Sequence, residues 1–383
     1  LRLSERQSPT LPGTCDFFRA RAAVQWLASF HAHWWRGLPD SPPIPRDLWP
    51  RGGYWTLEKR ALDLPDMDAT WRGLLRALDA DDAECAATAA ALRRACGENF
   101  GARLSRAGPA LSRAALRAEW GTPNQENGGA TLVHGDFKAA NIVFRRDADT
   151  NASEPNRRVA RAAPTVIDWQ WTGPGGAAHD LAYFLATSLN LDALERVDDL
   201  VAAYLARLSN DLRARGDAGR AAAAEYDAAR LRRDLAVHHA DHARYLAGAV
   251  WGAVTPASMR RDAANSNMGA HRRSTRHLLF CAARGALGLA TCERGEPGDR
   301  KDVDPDAPPP VPLPRASGSD PGGDPAPVAR PSARNADGDA AAVRQYASKV
   351  ARIERPDVLW RARARGWLGG RRLLHSRRWL ART

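Results

Sequence analysis

Apolar residues recur at helical spacing over two long stretches, one on each side of a pair of short β-branched runs. From Asp16 to Trp35 the repeat is carried by Phe17, Val24, Leu27, Phe30 and Trp34. Asp16 is placed to cap this helix and Gly37 to stop it. His31 and His33 lie beside Trp34 and Trp35 and read as packing residues. Pro39 to Gly53 is a proline-rich loop, followed by a short apolar piece, Tyr54 to Leu57. Residues 66–119 predict helices, with Leu74, Leu75, Leu78, Leu92, Leu104, Leu111 and Leu116 as core candidates. After the β-branched runs, Gly173 to Gly176 reads as a flexible turn. A helix opens at His179–Phe184, and further helices are expected over Asp192–Arg213, Gly219–Ala253 and Arg272–Ala290.

The candidate chemistry lies between the two helical stretches. The run from Leu132 to Phe144 sets His134-Gly135-Asp136 and, after Phe137 and Lys138, Asn141 between apolar segments. Thr165-Val166-Ile167 then leads into Asp168-Trp169-Gln170. Polar groups at the ends of strand-like runs sit on loops held by a rigid scaffold. Phosphoryl transfer needs such a layout: hard oxygen ligands for Mg²⁺ beside the phosphates, and a separate carboxylate to take the proton of the attacking hydroxyl. Asp136 suits the base, and Asn141 with Asp168 suits the metal. Lys138, two residues past the base, suits the γ-phosphate. The plain competing account makes His-Gly-Asp a turn and Asp168 a helix cap.

These two blocks resemble the catalytic and metal loops of the aminoglycoside phosphotransferase and choline kinase superfamily, the small-molecule branch of the protein-kinase-like fold. Gly135 stands where most protein kinases have Arg. Asp168-Trp169-Gln170 followed by Asp180-Leu181-Ala182-Tyr183 is most similar to the choline-kinase-like group that includes ecdysteroid kinases. The segment Leu48-Trp49-Pro50-Arg51-Gly52-Gly53-Tyr54-Trp55 is similar to the same group. The resemblance implies an α+β fold, mainly the helical C-terminal lobe with a short catalytic β-hairpin, over residues 1–292. It implies an ATP- and Mg²⁺-dependent kinase acting on a hydroxyl of a small-molecule alcohol. Catalysis would fall to Asp136 and Lys138, the nucleotide to Lys138, Asn141 and Asp168, and the metal to Asn141 and Asp168. His134 and Asp180 would be structural support, Asp180 lying beneath the catalytic loop and accepting hydrogen bonds from its backbone. A helix N-terminal carboxylate is the simpler account of Asp180. His238, Asp241 and His242 would form a wall of the acceptor site. A metal site there lacks a third ligand, and an ordinary helix face is the plain alternative.

The resemblance also sets an expectation about what is missing. Before His134 there is no glycine-rich loop between strands, and the only Lys is Lys59, in a loop. The small nucleotide-covering lobe is therefore expected to be absent from this chain, as in a fragment. A non-catalytic pseudokinase module is the first rival reading.

Composition changes this picture little. Hydrophobic residues make up 44% of the chain, enough for a sizeable core. Of the formal net charge of +12, residues 342–383 carry +10, from 12 Lys or Arg against 2 acids. The body is left near neutral, which excludes a basic nucleic-acid-binding face there. The tail mixes Arg with Trp360, Trp367 and Trp379, which suits an anionic membrane or a nucleic acid and defines a second rival, while a solvated appendage or a non-native stretch is the plainer reading. Residues 293–341 hold 11 of the 26 prolines and no aromatic residue, and read as a disordered linker. Arg145 to Ala163 would form a long polar tip on the catalytic hairpin. Five scattered cysteines without a CxxC argue against a disulfide framework and a zinc site. No run of about 18 apolar residues is present. A cytoplasmic location is expected.

Overall fold

A computed structural model of the protein describes residues 13–45, 47–57, 59–60, 66–120, 129–144 and 164–294. The expected hairpin tip, the linker from residue 295 on and the basic tail lie outside the described residues. All described residues fall in the first of two compact units, Leu1–Pro308, and the second, Pro309–Thr383, lies wholly outside them.

Helix α1 (Phe17–His33) starts where the Asp16 carboxylate accepts the Arg19 N–H at 2.8 Å. It stops at His33, before Gly37, and this shifts the expected aromatic register: Trp35 is buried and Trp34 only half-buried. Helices α2 (Met67–Asp79), α3 (Ala83–Cys96) and α4 (Phe100–Trp120) follow. Leu74, Leu75, Leu78, Leu92, Leu104 and Leu111 are buried as expected, whereas Leu116 is half-buried and the neighbouring Ala115 points inward.

The four strands form two nested antiparallel ladders. β1 (Ala130–Val133) pairs with β4 (Gly173–Gly176), and inside them β2 (Ile142–Phe144) pairs with β3 (Pro164–Val166). The expected flexible turn at Gly173–Gly176 is thus a strand. Two of its glycines are required by close approach. A Cβ on Gly173 would collide with the backbone of Trp49 and Gly52, and one on Gly175 with the Val133 side chain. Glycine lets a third extended segment press against the ladder, with Gly52 N–H donating to the Pro174 carbonyl at 2.8 Å.

Helix α5 (Ala177–Thr187) is buried along its whole length. The later helices are α6 (Leu191–Glu195), α7 (Val197–Arg213), α8 (Gly216–Glu225), α9 (Ala228–Tyr245), α10 (Pro256–Asp262) and α11 (Thr275–Arg294). The single helix expected over Gly219–Ala253 is broken, because Asp227 caps a new helix through the Arg230 N–H at 2.8 Å. It then loosens into one π turn, Leu246–Val250. The last helix starts and ends later than expected. Its Glu293 pairs with Arg103 at 2.6 Å, so the end of α11 is tied to α4 rather than opening a linker. One apolar core joins α1, Phe137 and Ile142, α5, α7 and α8; a second joins α2, α3, α4, α11 and the end of α9. The fold is α+β, mostly helical.

Candidate active site

The nested ladders bring the two polar loops together. The Ile167 N–H donates to the Asn141 carbonyl at 3.0 Å, which sets Asn141 beside Asp168. Asp168 itself has a left-handed backbone, φ 64°. A non-glycine residue tolerates this poorly, Asp and Asn best, and such strain gathers at functional turns. The turn ends β3 and swings the carboxylate toward Asp136. Burial first, then the Asp136 charge, push the Asp168 carboxyl above the ordinary carboxylate range, against the pull of Lys138.

Asp136 is buried, 3% exposed. Its Oδ2 accepts from Lys138 Nζ at 2.8 Å and from Asn141 Nδ2 at 3.1 Å. Its Oδ1 is buried with no partner. Asn141 Nδ2 also donates to the Asp136 carbonyl at 2.9 Å, so the opposite side of that amide is the oxygen. The donor set of a carboxylate, an amide oxygen and a second carboxylate close by fits a hard divalent cation. A cation would also relieve the repulsion that raises Asp168. Lys138 sits on Asp136, 25% exposed, rather than reaching away from it.

His134 ties the two loops. Its Nδ1 accepts the Asp136 N–H at 3.2 Å, which leaves Nε2 to donate to the Ile167 carbonyl at 2.9 Å and defines the neutral Nε2–H tautomer. Gly135, at φ 82°, has the Trp171 carbonyl and the Gly53 N–H where a Cβ would be; this accounts for a glycine at that place. Beneath the loop, the fully buried Asp180 accepts the N–H of His134 at 2.6 Å and of Gly135 at 2.9 Å. His31 Nε2 approaches it at 3.5 Å, and His31 Nδ1 meets the Tyr204 hydroxyl at 2.7 Å. The Ser188 hydroxyl, at the end of α5, accepts the Ala139 N–H at 2.9 Å.

His238, Asp241 and His242 lie on α9, all buried. Asp241 is taken by Arg244 at 2.7 Å. His238 has no partner on either ring nitrogen. Burial pushes both histidines down, His238 to about 3, so both are neutral. The His242 ring stands 5.4 Å from that of Tyr183, and the charge of Asp136 reaches Tyr183. Among the described residues, the one His/Cys/Asp/Glu group spaced for a metal is elsewhere, at Asp81, Asp82 and Cys85, the two carboxylates exposed and the thiol buried.

Several participants carry no motif of their own: His31, Tyr204, Ser188 and Thr172, whose hydroxyl donates to the His134 carbonyl at 3.3 Å. Lys59 is also engaged. Its Nζ donates to the carbonyls of Arg51 and Gly53, both at 2.6 Å, and lies over the Trp49 ring. It clamps the extended segment that abuts Gly135.

The mostly helical α+β architecture is consistent with the kinase-like fold that a family match implies. Residues 76–216 match the family model of the ecdysteroid kinase-like family, within the choline-kinase-like group that the sequence resembles. The matched span holds His134, Asp136, Lys138, Asn141, Asp168 and Asp180, and it stops before His238. No curated protein and no solved structure matches the chain. Among the described residues, no helix is long and apolar enough to cross a membrane.

Proposed function

We propose that this kinase-like protein transfers the γ-phosphate of ATP to a hydroxyl of a small alcohol. The observation that carries the reading is the Asp136 carboxylate, buried with Oδ1 unpartnered beside Asn141 and Asp168. Asp136 would orient the acceptor hydroxyl through Oδ1 and receive its proton. Lys138 pairs with Oδ2 and leaves Oδ1 to the acceptor. A loose transition state asks more for positioning than for base strength, so the ion pair is compatible with the role. Asn141 and Asp168 would hold Mg²⁺, which offsets phosphate charge when bound. Lys138 would share its charge between Asp136 and the transferred group.

The family description names ecdysteroids, which are uncharged polyhydroxylated sterols. The α9 wall supports an acceptor of that kind. Its histidines are neutral and its one carboxylate is consumed by Arg244, so it offers nothing to offset a desolvated ammonium group. The test measures labelled γ-phosphate transfer from ATP with Mg²⁺ to an ecdysteroid, to choline and to an aminoglycoside. Transfer to the ecdysteroid by wild type and none by Asp136→Asn is the expected result. No transfer to any of the three defeats the reading and favours a non-catalytic binding module.

A further inference from the structure

His31 is held from three sides. It stands in the last turn of α1, where helix carbonyls lack helical partners. Its carbonyl accepts the Thr131 hydroxyl of β1 at 2.8 Å. Its ring lies between α7 and α5: Nδ1 meets the Tyr204 hydroxyl at 2.7 Å, and Nε2 lies 3.5 Å from Asp180 Oδ2. His31, Thr131, Asp180 and Tyr204 are all fully buried.

These contacts fix where the ring carries its proton. Asp180 accepts the N–H groups of His134 and Gly135, so its oxygens act as acceptors. Nε2 faces one of them and therefore bears the hydrogen, while Nδ1 offers its lone pair. Burial first, then the Asp180 charge, hold the Tyr204 phenol well above its ordinary range, so it keeps its proton and donates the hydrogen bond to Nδ1. A directed chain results: Tyr204 O–H to His31, His31 N–H to Asp180, and Asp180 beneath the turn His134-Gly135-Asp136. Packing beside Trp34 would ask this side chain only for bulk. Phe supplies bulk but leaves the buried carboxylate one donor short. The two backbone bonds demand one orientation of that carboxylate, Oδ2 toward His134 and Oδ1 toward Gly135. A donor on Oδ2 from a third side resists its rotation.

We propose that His31 is a positioning residue: it holds the Asp180 carboxylate in the orientation that binds both N–H groups, and so sets where Asp136 stands, with Tyr204 acting through His31 by fixing its tautomer. His31 touches no reacting atom and neither gains nor loses a proton. The effect on turnover rests on the phosphotransfer reading above; the effect on the turn does not.

The test compares the full chain carrying His31→Phe, His31→Gln, Tyr204→Phe, and His31→Phe combined with Tyr204→Phe. Gln returns a donor toward Asp180 where Phe only fills space. Phosphate transfer from ATP to an ecdysteroid is measured together with amide hydrogen exchange. His31→Phe is expected to lower kcat by about 10–10²-fold, the scale of a small misplacement at a reacting centre, with the KM values for ATP and the alcohol unchanged. His31→Gln recovers most of the loss. The double variant loses no more than His31→Phe, because Tyr204 acts through the ring. Exchange at His134 and Gly135 quickens in His31→Phe and is restored in His31→Gln, while the α2 amides hold. Activity that follows bulk, with His31→Phe at or above His31→Gln, overturns the proposal. Losses that multiply in the double variant, or unchanged exchange at His134 and Gly135, overturn it too. Should His31→Phe fail to fold, Tyr204→Phe carries the test: a lower kcat and faster exchange at the turn are expected, and wild-type values overturn the proposal. A wild type inactive on every alcohol defeats the phosphotransfer reading, and the exchange measurement still decides this inference.

Discussion

Asp180 Oδ2 accepts the backbone N–H of His134 at 2.6 Å, from 46 residues further along the chain. With the Gly135 N–H on Oδ1, a wholly buried carboxylate holds the two residues that precede Asp136. It fixes where Asp136 stands without touching its carboxylate. Asp180→Asn replaces one acceptor by an NH₂ that faces a backbone donor. The expected outcome is a loss of about 1.5–3 kcal/mol in stability, the range for hydrogen bonds to a charged group, with catalysis falling in parallel. Urea unfolding together with turnover checks it. An unchanged unfolding midpoint shows that the loop is held by something else.

Asp136→Asn is expected to lower transfer by about 10²–10⁴-fold, the usual contribution of a positioned general base. The unfolding midpoint should hardly move, because the amide oxygen can still accept from Lys138 and Asn141 and its NH₂ falls on the unpartnered Oδ1 side. Near wild-type turnover on the true acceptor rules Asp136 out as the base.

Asp168→Asn separates charge from backbone strain. Asn accepts the left-handed conformation as readily as Asp, and the change removes repulsion from Asp136. Stability should hold or rise while Mg²⁺-dependent nucleotide binding falls. The fall should exceed that of Asn141→Ala, since a carboxylate offers the ion full charge and an amide only a dipole. Matching Mg²⁺ titrations of wild type and Asp168→Asn contradict the assignment.

Acid should destabilise the fold through its buried histidines. Burial pushes His238, His239 and His271 down to about 3, and lowers His179, His242 and His277 as well. In the unfolded chain each binds a proton below about pH 6.5, and the folded state does not. The unfolded state therefore gains protons as pH falls, and stability drops from pH 6.5 downward. One histidine held near 3 is worth about 2 kcal/mol at pH 5. Unfolding free energies measured from pH 7.5 to 5 should fall steadily, with a shallower slope in His238→Phe. A flat profile contradicts the burial.

The nucleotide should bind weakly to this chain. Among the described residues no strand precedes β1, and Lys59, the one Lys before the catalytic loop, is spent on the carbonyls of Arg51 and Gly53. Calorimetric titration of ATP with Mg²⁺ into the full chain should give a Kd weaker than the low micromolar range, which corresponds to about −8 kcal/mol. Tighter binding means that residues outside the described ones contact the nucleotide.

The sequence alone determined the local features: the α1 cap at Asp16, the leucine faces of α2 to α4, and the two blocks around Asp136 and Asp168. In each case a short-range pattern carries the information, such as helical spacing, a capping carboxylate or β-branched runs next to polar residues. Only the tertiary structure decided the rest. Gly173–Gly176 read as a turn because glycine has no side chain to declare a strand; backbone hydrogen bonds to β1 and the pressed segment at Trp49–Gly53 made it one. The Asp227 cap that divides the expected Gly219–Ala253 helix competes with a continuous periodic pattern, and it wins because Tyr226 turns into the core against Trp35. Asp241 looked available until the fold set Arg244 against it in the same buried layer. The meeting of Tyr54 with Tyr183 joins residues 129 apart. No local pattern encodes such a pair, because it exists only once the ladder and α5 pack together.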